Sequence, residues 1–152
     1  MHDSRTVANE FLHLAEERGA GLTPTQLLKL VYIAHGWSLG TGSGPLIRDE
    51  VQAWQFGPVI PRLYNAVRKF RADFVRGPLP TGDDTPLNEA EKDLIQQVYD
   101  AYGKRSAAAL SRLTHIAGTP WAETYEPGTF GLEINNNLIQ SHYERLARAS
   151  GT

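Results

Sequence analysis

Cysteine is absent from the 152 residues, which removes disulfides, thiolate zinc sites and cysteine nucleophiles together. Charge of one sign is also scarce. With 15 Lys and Arg against 17 Asp and Glu the net charge is −2, so no global field draws nucleic acid or an anionic membrane. Long hydrophobic runs are missing: Leu27–Trp37, the most apolar stretch, is interrupted by Lys29 and His35 and is too short to span a bilayer. Met1–Phe11 carries Asp3 and Glu10 without a continuous apolar segment, unlike a secretory signal. The expectation is a soluble, cytoplasmic protein that contacts no membrane. Gly40–Gly44 fits neither a nucleophile elbow nor a dinucleotide or P-loop glycine pattern. There is no internal repeat, heptad run or low-complexity tail.

A chain of this length forms one ordinary domain, burying about 68–70% of the surface its unfolded form exposes. That domain is expected over residues 4–149, with short termini at 1–3 and 150–152. Ser4 is placed to cap a first helix carrying Val7, Phe11 and Leu14 at helical spacing, ended by Gly19 and Gly21. Thr23-Pro24-Thr25-Gln26 combines an N-cap, a proline at the first turn and a capping-box partner. The helix it opens is apolar almost all round, which marks it as central. Gly36 inside it implies close approach of another backbone, with Phe56–Pro58 the expected neighbour.

Glu50–Tyr64 packs Trp54, Phe56, Gly57, Pro58 and Pro61 into eight positions. Pro58 and Pro61 restrict the residues before them, so the stretch is a shaped corner, with at most a short hairpin. Pro61 then opens a helix in which Leu63, Val67, Phe70 and Phe74 recur on one side and Arg62, Arg68, Lys69 and Arg71 on the other. Arg76–Pro86 reads as a long mobile loop. Asn88 with Glu91, Ser106, Thr119-Pro120 and Asn135 open four further helices. The chain therefore reads as mainly α, a compact bundle of about six or seven helices around a central apolar one.

No catalytic, cofactor-binding or metal-binding set is legible. None of His2, His13, His35, His115 and His142 sits in H-E-x-x-H spacing, and only a spatial pairing such as His35 with His115 would revive a metal. Asp83-Asp84 with Glu89, Glu91 and Asp93 flank a loop and a helix N-terminus, where acids suit the dipole. Bottom-up, the sequence favours a non-enzymatic binding module. Trp54, Phe56 and Tyr64 on the corner are the natural interface anchors.

The succession Leu22-Thr23-Pro24, Leu28-Lys29-Leu30-Val31-Tyr32-Ile33-Ala34-His35-Gly36-Trp37, Ala53-Trp54-Gln55-Phe56-Gly57-Pro58-Val59, Tyr64, Leu110-Ser111-Arg112-Leu113-Thr114-His115 and Pro120-Trp121 resembles the Panacea antitoxin domain, a family also described as GepA-like or SocA-like. The resemblance runs from about Ser4 to the C-terminal helix, and A-W-x-x-G-P-V following L-K-L-V-Y is its specific signal. It implies an antitoxin that neutralises a protein toxin, encoded by the adjacent gene, through direct contact. SocA-like members further imply a proteolytic adaptor that delivers the toxin to the ClpXP protease. The chain looks like a stand-alone domain with no appended DNA-binding module.

Candidate toxin contacts are Trp54, Phe56, Gly57, Pro58, Val59 and Tyr64, with Arg62, Arg68 and Lys69 beside them. Lys29, Trp37, His115 and Trp121 carry over as motif positions, for which a purely structural role is equally open. Arg76–Pro86 and Ala149–Thr152 are candidate protease contacts. The alternative is a small non-enzymatic nucleic-acid-binding regulator using the basic helix 61–71.

Overall fold

The computed structural model describes residues 1–82 and 85–151. Asp83-Asp84, Thr152 and the parts of the two candidate protease contacts that contain them lie outside the described residues. Among the described residues, seven α-helices and three short strands follow in order: α1 (Ser4–Glu17), α2 (Pro24–Gly40), β1 (Gln52–Trp54), β2 (Gly57–Val59), α3 (Pro61–Val67), α4 (Glu89–Tyr102), α5 (Ala107–His115), α6 (Pro120–Thr124), β3 (Leu132–Glu133) and α7 (Asn136–Gly151).

The expected central helix is α2. Thirteen of its seventeen residues are buried, because α7 packs along it and α1, α4 and α5 close its other sides. Its start is fixed as the sequence implies: the Thr23 side chain accepts from the Gln26 N–H, and Gln26 accepts from the Thr23 N–H at 2.9 Å. Gln26 also donates to the Arg105 carbonyl, tying this cap to the α4–α5 turn. Asn88 and Glu91 form the same reciprocal pair at α4, and Ser106 and Thr119 cap α5 and α6.

Five expectations are corrected. The N-cap of α1 is Asp3, whose side chain accepts from the Arg5 N–H; Ser4 is the first helical residue and donates from both its N–H and its hydroxyl to Asp49. Gly36 does meet a close neighbour, but that neighbour is the Tyr143 ring of α7. After α3 a single 3-10 turn (Arg68–Phe70) ends at Arg71, at φ 55°, so Phe74 leaves the helix and lies exposed against Gly21. The loop after Arg76 is anchored: Asn9 donates to the Leu79 carbonyl and accepts from its N–H, with Leu79 buried. The hairpin carries an unforeseen third strand, in the order β2-β1-β3, all antiparallel.

Two buried histidine-centred joints hold the periphery. His35 of α2 accepts on Nδ1 from the N–H groups of Leu46 and Ile47, so its Nε2 carries the proton and donates to Asn136 Oδ1 at 3.1 Å. Burial pushes its pKa below the ordinary 6.5, which keeps the ring neutral. His2 pairs with Ile47 as a parallel bridge and reaches Glu91 at 2.8 Å, binding the N-terminus to α4.

Candidate functional site

The register Gln52↔Val59, Ala53↔Pro58, Trp54↔Gly57 leaves Gln55 and Phe56 at the tip of the β1–β2 hairpin. Gly57 adopts φ 127°, a conformation open to glycine at little cost, and a side chain there would strike the Lys29 ammonium, 2.9 Å from where a Cβ would stand. Lys29 rises from α2 under the tip and donates to the Pro58 carbonyl at 2.9 Å. Desolvation alone pushes its pKa down to about 8, so the buried side chain remains mostly cationic at neutral pH.

Above this support the corner is aromatic. Trp54 meets the Tyr64 ring edge-on at 5.0 Å and the Phe130 ring, tilted, at 5.0 Å. Trp54 and Tyr64 are half-buried, whereas Phe56 is 74% exposed and Phe130 77%. The Arg68 guanidinium lies 5.5 Å over Tyr64, a cation–π contact at the rim. A second clamp comes from α6: Trp121 donates from Nε1 to the Trp54 carbonyl at 2.6 Å, stacked on Tyr125 and edge-on to His115. His115 in turn bonds its own helix at the Ser111 carbonyl.

Of the residues singled out in the sequence, Trp54, Phe56, Tyr64 and Arg68 share this surface. Gly57, Pro58 and Val59 are buried and shape the corner from beneath, with Val59 lining the groove under it. Arg62 is turned to carboxylates of its own chain, 3.2 Å from Asp3 and 3.7 Å from Asp49. Lys69 lies over Phe70 beyond the corner. Trp37 belongs elsewhere, donating to Tyr102 and edge-on to Tyr143. His35 and His115 sit in separate environments, and among the described residues no three His, Asp or Glu side chains converge as metal ligands. Phe130 was not anticipated; its only signal was a lone aromatic between Gly128 and Gly131.

These features define a mainly α-helical domain whose exposed site is an aromatic corner braced on a buried lysine. The chain belongs to the SocA-like antitoxin family with a Panacea domain, the model of which, "Antitoxin SocA-like, Panacea domain", matches residues 27–122. It is similar to Antitoxin SocA of Caulobacter vibrioides (strain NA1000 / CB15N), with 30% identity over 155 residues, covering 93% of this chain and 82% of that relative. No solved structure matches. Among the described residues, no helix is long and apolar enough to cross a membrane.

Proposed function

We propose that this chain is the antitoxin of a bacterial toxin–antitoxin pair and neutralises its toxin by direct contact through the aromatic corner, in the cytoplasm and without chemistry of its own. Family membership supports the role, and one observation supports the surface: the largely exposed rings of Phe56, at the tip of a hairpin braced from below, and Phe130 line one groove with Trp54 and Tyr64. Clustered exposed rings on a rigid support are the usual anchors of protein interfaces, since they bury large area while losing little side-chain freedom. The toxin is the product of the adjacent gene, and delivery of the bound toxin to ClpXP is the second part of the role.

Growth of cells expressing the adjacent gene, with and without this chain, in hosts with and without ClpXP, tests the proposal. Rescue in both hosts means blocking by contact, and rescue only with the protease means adaptor action. Absence of toxicity removes the proposal. Binding to duplex with a steep salt dependence would then favour a regulator acting through the exposed Arg68, Lys69 and Arg71. Phe56→Ala is expected to weaken rescue while leaving the melting temperature within about 1–2 °C, because an exposed ring leaves no cavity. Equal loss of both would show that the corner is core.

A further inference from the structure

A groove of about 430 Å³ runs beneath the corner, between α2, the β1–β2 hairpin, Ser111 of α5 and Phe130. Its lining contains one charged residue, Lys29, which is only 4% exposed. An ammonium has three N–H donors, and the Pro58 carbonyl takes one of them. No Asp or Glu lines the groove, and Lys29 makes no ion pair among the described residues. A wider hollow of about 500 Å³ between α1 and the Phe74 segment contains no buried charge.

The chemistry of the missing occupant follows from that imbalance. An apolar segment closing over the groove would complete the dehydration of the ammonium and return nothing for it. A carboxylate would supply the counter-charge in a place where water screens it little. The rings of Trp54, Phe56 and Phe130 on the walls and rim suit a large apolar side chain beside that acid. The exposed rings of Phe56 and Phe130 line the same groove as the lysine, which suits a chain laid over them. We propose that the groove receives an aspartate or glutamate side chain of the toxin, paired with Lys29 and flanked by an aromatic or large aliphatic residue seated on Trp54 and Phe130. This rests on the antitoxin reading.

The test has two arms on the full chain. In the first, Lys29→Met keeps the apolar stem and removes the charge. The variant should melt no lower than the wild type, yet bind the adjacent-gene product at least about thirty-fold more weakly, as loss of one member of a buried ion pair does. Undiminished affinity would overturn the proposal. In the second, three capped peptides are titrated into wild-type chain while the Lys29 Hε and Trp54 indole N–H resonances are followed: acetyl-Gly-Phe-Asp-Leu-Gly-amide, its Asn counterpart, and the Asn peptide with a free C-terminal carboxylate. The Asp peptide should shift both resonances at concentrations where the Asn amide does not. Equal response to Asp and Asn amides, or no response to any peptide, overturns the proposal, and preference for the free terminus overturns the side-chain assignment. Failure of wild-type chain to bind the adjacent-gene product defeats the antitoxin reading alone, because the peptide arm still reports on the groove. If Lys29→Met does not fold, the peptide arm decides.

Discussion

Gly36 lies midway along α2, where helix propensity favours alanine over glycine by about 1 kcal/mol. Packing opposes that gain. A Cβ at Gly36 would stand 2.5 Å from Cδ2 and 2.6 Å from Cζ of Tyr143, and closer still to Cε2. The ring has nowhere to go: it is buried, edge-on to Trp37 at 5.2 Å and to Tyr32 at 6.4 Å. The same residue's backbone is pressed against Gly40, where a Cβ would lie 2.8 Å from the Tyr143 carbonyl carbon. Gly36→Ala must therefore displace α7 itself. Overpacking of this kind costs about 1–3 kcal/mol, and a clash that moves a helix belongs at the upper end. After the propensity gain, about 2 kcal/mol of destabilisation remains, equivalent to a melting temperature about 4–8 °C lower for a chain of this size. Thermal and urea unfolding followed by near-UV circular dichroism reads it directly. In a Tyr143→Leu background the sign should reverse, with Gly36→Ala stabilising by up to about 1 kcal/mol. A raised melting temperature for Gly36→Ala in the native background would refute the close crossing of α2 and α7.

Three pH dependences accompany this. The hydrogen bond from Arg5 holds the Asp3 carboxyl down at about 2 against an ordinary 3.8, although burial opposes it. The folded value is depressed, so roughly 2 kcal/mol of stability is present above about pH 4 and is lost as pH falls toward 2. Asp3→Asn should flatten that limb in urea titrations. Lys29 has the opposite placement: its folded value of about 8 lies below the ordinary 10.5, so stability rises between those values, by up to about 3 kcal/mol. Lys29→Met should lack this rise, and parallel alkaline profiles for the two proteins would contradict the buried cation. His35, held below 6.5 by burial, stays neutral in the folded chain as pH falls through that value while the unfolded chain takes up a proton, so its contribution to stability is full above about pH 6.5 and is lost progressively below it. A long-range nitrogen correlation at about pH 6 should still show the Nε2–H tautomer, and a doubly protonated ring there would count against the joint.

Local chemistry made most of the helices legible. Thr23-Pro24 with Gln26, Asn88 with Glu91, Ser106 and Thr119-Pro120 each satisfy orphan N–H groups within four residues, so their signal needs no tertiary context. The failures were partly long-range and partly local. Ser4 looked like a cap because its pairing with Asp49, across 45 residues, is invisible to local spacing. Phe74 continued a helical period that the 3-10 turn at Arg68–Phe70 breaks. The partner of Gly36 was assigned to the nearest aromatic stretch, whereas it lies on the last helix. At the corner, Trp54, Phe56 and Tyr64 were legible as a dense aromatic cluster. Phe130 and the depth of Lys29 were not, because the segment before β3 brings Phe130 from far along the chain and the hairpin, 29 residues on from Lys29, covers its ammonium.

The bond from Trp121 to the Trp54 carbonyl spans 67 positions, and Phe130 and β3 arrive later still. A nascent chain that has emerged only through α5 can own its hairpin and the lysine beneath it but not the Trp121 clamp, the third strand or the second exposed ring. The corner is thus a late product of synthesis, finished within a few residues of the helix that seals the core. A copy that stops before Trp121 would therefore carry a corner that still has Lys29 beneath it but lacks these later contacts.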